Sequence, residues 1–520
     1  MTALNSPILT PQRRVALSGA AYRIDFRVML TVILILGLVA RAWNLFGYPA
    51  FSDDEGTYVA QAWAVRNGLG LAHYTYIYDH PPLGWIQIAA LSWIPTLVAP
   101  SLPAVAAGRI VMLVFAGVSI VLLYCVARRL RFSNWAALAA TAVFAFSPLA
   151  IALHRQVFLD NIAVTWILIA FLLALSPRQH LGLQMLAGVT AAVSVLSKET
   201  LILAVPAILL ALWQNSHPRT RNFATIGFVC GFVTTSAFYP LYALLKGELL
   251  WRDRDRVSML EMLVYQLFGR EGSGSVFDSQ SHAYETLVGW SLQDTAILIV
   301  GTVSATVALF IRRLRGPALA ATIPILIVAV RPDGYMPGML VVQILPFFAL
   351  TTVGVAQVLA TALRSAAESA RFRWVPGVVG MVAVALMLIV LPRWWDSSRR
   401  EWTTTVNDPL TQAAAWFDDP HRIAGSERIL TDDTIWLDLV ALGYDPTREV
   451  LWHFKVDLDK EVKQQLTHGW QDLDYVVSTP TIRRTAGGLP TVSAALRNSR
   501  VVVAFGSGDD RVEIREISRP

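Results

Sequence analysis

Eleven long apolar runs divide the first three quarters of this chain, and they restrict its fold more than any motif does. A helix needs about 20 apolar residues to cross the hydrocarbon of a bilayer, and shorter ones can cross when protein flanks them. Such runs lie near 28–46, 106–127, 134–152, 161–176, 181–197, 200–214, 222–246, 294–312, 317–331, 338–361 and 375–392. Residues 83–100 form a twelfth. Hydrophobic residues make up 55% of the 520 and charged ones 15%, a balance that a water-soluble chain of this length does not need. The reading is a polytopic α-helical membrane protein with about 11–13 transmembrane helices, the first of them expected to stay as an anchor.

Basic residues orient the helices. With the N-terminus (1–27) cytoplasmic and 83–100 not crossing fully, the inside segments are 1–27, 128–131, 177–179, 217–221, 312–315 and 364–373. They carry 16 Lys and Arg against two acids, Asp25 and Glu368, as the positive-inside rule requires. The net charge of +6 comes mostly from this set, so it orients helices and meets anionic lipid, and a nucleic-acid role is excluded. The opposite face receives 47–105, 247–293 and everything after the last span. Cys125 and Cys230 both lie in apolar runs and are too few for a disulfide framework.

Three units follow: a cytoplasmic segment 1–27, a membrane domain 28–394 and a soluble extracytoplasmic α/β domain 395–520. In the last, short β-branched runs (RILTDD at 428–433, VLWHFK at 450–455, DYVVST at 474–479, VVVAFG at 501–506) alternate with helix-like PLTQAAAWFDD at 409–419 and TIWLDLVALG at 434–443. No glycine-rich phosphate loop opens any of its helices.

The segment after the first span is dense in chemistry. Asp53, Asp54 and Glu55 stand in sequence, and Asp79-His80 precede a Pro-Pro helix start. The run DEGTYVAQAW at 54–63 and DHPPLG at 79–84 resemble the first extracytoplasmic loop of the protein O-mannosyltransferases. AAGRIVMLVFAGVSIVLLYCVARRL at 106–130, HRQVFLD at 154–160, SKET at 197–200 and RPDGYMPGMLVVQILPFF at 331–348 resemble, in the same order, elements shared with the aminoarabinose transferases that modify lipid A. The chain thus resembles the GT-C superfamily of polyprenyl-phosphate-sugar glycosyltransferases. Two departures narrow this: Trp85 replaces a lysine frequent in the protein mannosyltransferases, and 247–293 is too short for the large carbohydrate-binding insertion of the eukaryotic members.

The resemblance implies an inverting transfer from a polyprenyl-phosphate sugar to an extracytoplasmic acceptor, at the plasma (inner) membrane. Such a reaction needs a base for the acceptor hydroxyl and cations for the departing phosphate. Asp54 matches the family aspartate and is the expected base, with Glu55 as its catalytic neighbour. Asp79, His80, Arg109, Arg155, Asp160, Lys198 and Tyr335 are the expected donor and substrate contacts. Bland readings stand beside these. Asp53 and Glu55 also suit a helix cap after Ser52, Lys198 also suits a headgroup-facing or Glu199-paired lysine, and Arg155 with Asp160 also suits an ion pair at helix ends. His80 has no second histidine at metal-ligand spacing. A divalent cation, magnesium or manganese, is one option for the family, and Asp54, Glu55 and Asp160 are the carboxylates to hold it. Residues 247–293, with WRDRDR at 251–256, suit a lid over the site or an interfacial helix. The competing function is a transporter or flippase of lipid-linked glycans, against which stands the absence of a visible repeat and of charge at mid-span.

Overall fold

In a computed structural model of the chain, residues 25–250, 257–330, 334–367, 375–418 and 427–519 are described. The N-terminal segment up to residue 24, expected to be cytoplasmic, WRDRDR at 251–256, the start of the RPDGYMPG motif and most of the basic 364–373 loop lie outside them.

Each of the eleven expected runs is helical. Among the described residues, four helices are individually long and apolar enough to cross a membrane: Ala104–Arg129, Arg221–Leu245, His282–Ala308 and Gly338–Ser365. Asn134–Phe146 and Pro148–Arg155, bent by 59°, add a fifth if taken as one span. By length and composition, these bear out part of the expected 11–13. Phe26–Ala42, Leu159–Ala174, Leu181–Ser197 and Arg315–Val330 have only 16 or 17 residues. At ~1.5 Å per residue that is about 25 Å, short of the ~30 Å hydrocarbon thickness. The 83–100 run is two short helices, Leu83–Leu91 and Trp93–Val98, joined at Ser92, and neither reaches across a bilayer.

These helices bury one continuous apolar core that includes Phe144, Phe171, Phe347 and Phe348. Two breaks in it shape the site. Ser147 caps the helix that begins at Pro148, and Lys198 takes an extended backbone between Leu181–Ser197 and Glu199–Ala204. Non-helical backbone at such depth persists where it lines a cavity.

Past the last apolar run, the helix Val375–Thr403 continues beyond the expected boundary at 395. Among its described residues the C-terminal domain then holds five strands, β1 (Ile429–Thr431), β2 (Val450–Trp452), β3 (Tyr475–Ser478), β4 (Ser499–Phe505) and β5 (Val512–Ile517), in the order β2-β1-β3-β5-β4. The pairs β1/β2 and β1/β3 are parallel, and β3/β5 and β4/β5 antiparallel. The expected 450–455 strand ends at Trp452, where the helix His453–Leu458 begins, and β5 was not anticipated. One face of the sheet packs on Ile435, Trp436 and Leu439, and Ala60 from the loop after the first span belongs to that same cluster. The soluble domain is therefore joined to the membrane domain by shared apolar burial as well as by the chain.

Candidate active site

The helix Asp53–Arg66 starts where the sequence says it should. Ser52 Oγ accepts from Glu55 N at 3.4 Å, Glu55 Oε2 accepts from Ser52 N at 3.2 Å, and three acids occupy the first turn, where the helix dipole favours them. The helix is then fixed from below. Glu55 is fully buried and accepts from Arg109 Nε and Nη2, both at 2.8 Å, and from Val157 N at 2.9 Å. Arg109 also donates to the carbonyls of Leu45 and Pro49. Asp54, one residue earlier, is turned into a cavity of about 220 Å3 and accepts no hydrogen bond from another described residue.

Across the cavity, His80 joins two neighbours. Its Nδ1 lies 3.1 Å from both Glu199 carboxylate oxygens, and the Lys198 ammonium donates toward Nε2 at 3.1 Å. That is the arrangement of a ring whose proton sits on Nδ1. Burial is the largest influence and, with Lys198, disfavours the charged imidazole, but the charge and hydrogen bond of Glu199 together with Asp79 raise the ring above its ordinary value. The Tyr76 hydroxyl donates to the His80 carbonyl at 2.5 Å, which holds the loop before Pro81 in place. Behind Lys198, Asp160 Oδ1 accepts from Gln343 Nε2 at 2.7 Å, while Asp160 Oδ2 is buried and unpartnered.

The third wall comes from beyond the membrane helices. Gln266 and Arg270 project from the end of the helical stretch 259–269, and the Arg270 guanidinium lies 3.4 Å over the Tyr335 ring while donating to Gln266 Oε1 at 3.0 Å. A lid-like role for 247–293 thus has a concrete basis in residues 266–270.

Of the residues expected from sequence, Asp54, His80, Lys198 and Tyr335 line this one cavity. Asp160 is buried behind it, and Asp79 stands beside His80 with Oδ1 buried and unpartnered. Glu55 and Arg109 pair with each other away from the cavity. Arg155 does not meet Asp160: it donates to the carbonyls of Ala40, Arg41 and Trp43 and lies 3.5 Å from Glu401, so it ties the helices Phe26–Ala42 and Val375–Thr403 together. Sequence reasoning did not place Arg270 or Gln266 in the site. Arg270 is one of four arginines in the segment 247–293, and only the aromatic partner 65 residues later in the chain reveals its position.

The expected cation set does not converge. Glu55 is engaged by Arg109 and Asp160 by Gln343, and among the described residues no group of three or more His, Cys, Asp or Glu is placed to share an ion.

Asp53 points elsewhere, to a seam with the soluble domain. There Asp432 accepts from the Thr479 hydroxyl and Asp433 from the Thr57 hydroxyl, and Gly56 lies directly against the Asp433 carbonyl. Burial, and then the Asp432 carboxylate, push Asp53 up to about 7. Burial and Asp53 push Asp433 well above the carboxylate range.

Residues 79–242 match the model of the dolichyl-phosphate-mannose-protein mannosyltransferase family. No curated protein sequence matches the chain. Among solved structures, ArnT from Cupriavidus metallidurans bound to undecaprenyl phosphate superposes with a TM-score of 0.56 at 14% identity, over 95% of this chain and 99% of that one. The Archaeoglobus fulgidus oligosaccharyltransferase tethered with an acceptor peptide gives 0.55 at 12% identity, over 95% of this chain and 74% of that one. The same organism's AglB, with an inhibitory peptide and a dolichol-phosphate, gives 0.53 at 12% identity, over 94% and 74%. The likeness establishes the GT-C fold, and the resemblance read from the outer-face motifs is borne out.

Proposed function

We propose that this membrane protein of the GT-C fold transfers a sugar from a polyprenyl phosphate to an extracytoplasmic acceptor, with inversion, using Asp54 as the base. The family match over 79–242 and neighbours solved with undecaprenyl or dolichol phosphate support that donor class, and nothing in them supports the flippase alternative. The observation that carries the assignment is the carboxylate of Asp54 in a cavity whose other walls carry Lys198, His80 and Arg270. Asp54 takes the proton of the acceptor hydroxyl as its oxygen attacks the anomeric carbon. The bond from that carbon to the phosphate oxygen breaks, and polyprenyl phosphate leaves with the electron pair. Its charge is met by the Arg270 guanidinium, held flat by Tyr335, and by the Lys198 ammonium, held by His80.

Glu55, Arg109 and Arg155 are positioning residues in this reading, and Asp79 and Asp160 set the field around His80 and Lys198. Zinc is present in one structure of the Archaeoglobus fulgidus oligosaccharyltransferase. Among the described residues the carboxylates do not gather into an ion-binding set, and the reaction proposed runs through side chains alone. In this reading the N-terminus is cytoplasmic and the site lies on the outer face of the plasma membrane, an orientation that the basic loops support.

The test is transfer of label from a panel of radiolabelled polyprenyl-phosphate sugars to envelope extract by purified wild type and Asp54→Asn. A wild-type signal lowered roughly a hundred- to ten-thousand-fold in the folded variant supports the assignment. Equal signals remove Asp54 as base.

A further inference from the structure

A second cavity, of about 330 Å3, opens where the loop 69–76, the end of the helix Phe238–Leu245 and the soluble-domain helix Lys460–Gln465 meet. It falls at the low end of the ~300–1,000 Å3 typical of small-ligand sites. Its sides are Tyr76, Tyr242, Lys246, Glu248, Glu461 and Gln465. We propose that this cleft is an acceptor subsite and that it takes a neutral saccharide chain; the assignment of the acceptor rests on the transfer reaction proposed above.

The chemistry of the lining selects the class. A sugar ring presents an apolar C–H face edged by hydroxyls that both donate and accept. Tyrosine rings beside planar amide and carboxylate groups meet both demands. An anionic ligand is disfavoured, because Lys246 is opposed by Glu248 and Glu461, and the other nearby lysine, Lys455, is turned to Asp459 at 3.5 Å. His73 on the floor is held uncharged, pushed down to about 3 by burial and then by Lys455. A peptide strand is disfavoured too. At the edge strand β2 the Tyr74 hydroxyl already donates to the Val450 carbonyl at 3.0 Å and accepts from Trp452 N at 3.1 Å, so that edge is occupied.

The cleft is built into the active site rather than merely near it. Tyr76 lines the cleft, and its hydroxyl holds the His80 carbonyl. Tyr239 donates to the same carbonyl at 3.3 Å, and the Tyr78 hydroxyl donates to Glu248 at 2.5 Å. One tyrosine wall thus separates the two cavities. A polymeric acceptor laid in the cleft bears, through Tyr76, on the loop that carries His80 into the neighbouring cavity.

The experiment uses the full chain in detergent, with neutral mannan, arabinan and galactan hexasaccharides, the matching monosaccharides and a hexapeptide as probes. Ligand binding by saturation-transfer NMR is measured beside steady-state transfer, for wild type, Tyr242→Ala, Glu461→Ala and Asp54→Asn. The expected result is binding of one hexasaccharide by wild type and Asp54→Asn, weakened about tenfold or more in each cleft variant. The acceptor KM rises to match, while kcat and the donor KM stay level. Equal binding by wild type and cleft variants, no hexasaccharide binding by wild type, or binding of the peptide instead would each overturn the inference. Cleft-dependent binding without transfer from any donor would overturn the transfer reading alone, whereas transfer indifferent to the cleft variants would overturn the subsite alone.

Discussion

Glu55 holds Arg109 through two hydrogen bonds of 2.8 Å, both groups out of contact with solvent, one residue along the chain from the carboxylate that faces the cavity. Removing one partner of a buried ion pair strands the other, at a cost of about 3–5 kcal/mol. Glu55→Gln and Arg109→Met should therefore lower the thermal midpoint strongly. The Glu55→Gln protein that does fold should keep kcat within a few-fold, unlike Asp54→Asn. Thermal scans beside transfer assays decide it: a normal midpoint with lost turnover would place Glu55 in the chemistry instead.

Arg270 stacks on Tyr335 with its charge turned to the cavity. Arg270→Ala should raise the donor KM by roughly tenfold or more, since a charge-assisted hydrogen bond to phosphate contributes about 1.5–3 kcal/mol. Arg270→Lys should recover only part, because an ammonium neither lies flat on the ring nor bonds in parallel. Donor titrations at saturating acceptor measure this, and an unchanged KM would remove Arg270 from the donor site.

Asp53 gives a pH dependence with a definite sign. It faces Asp432, Asp433 and Asp54, with Thr481 and Arg484 as the opposing groups. Its folded value is raised from 3.8 to about 7, so the folded chain keeps a proton that the unfolded chain has lost. Stability at the seam thus falls as pH climbs from about 4 to about 7, and is level above. Asp53→Asn removes the ionisation, and should raise the midpoint by a few degrees above neutral pH while changing little in acid. The same gain at every pH would show that Asp53 is ionised throughout.

A methyl group at Gly56 would overlap the Asp433 carbonyl, which is backbone and cannot step aside. Gly56→Ala should loosen the soluble domain, expose a protease-sensitive connection after Thr403 and lower turnover without removing any polar group. Limited proteolysis of wild type and variant reports it, and an unaltered digestion pattern would contradict the packing described.

The apolar runs were legible because helix in a membrane is an obligatory consequence of composition, so each run is found as a helix. The break at Lys198 was legible as well, as the gap between 181–197 and 200–214, whereas the bend at Ser147 falls inside the single expected run 134–152 and leaves no mark in hydropathy. In the site, Asp54, His80 and Lys198 were legible as polar residues in otherwise apolar or aromatic surroundings. Arg109 and Arg155 look the same in sequence, and only their partners, a buried glutamate and three helix-end carbonyls, separate them from the cavity. Arg270 depends on a partner 65 residues further on, and the second cavity on segments hundreds of residues apart, which no local pattern encodes.

Successive residues on a helix point about 100° apart, and the first turn of Asp53–Arg66 uses that angle fully. Asp53 meets the soluble domain, Asp54 the cavity and Glu55 the membrane core. This single turn is a three-way joint with Glu55 as its pivot. Any tilt of the soluble domain, whether driven by a bound chain or by protonation at the seam, turns the base toward or away from the hydroxyl it must reach. The C-terminal domain, whose described residues put no side chain in the cavity, thereby holds the aim of the carboxylate proposed as base.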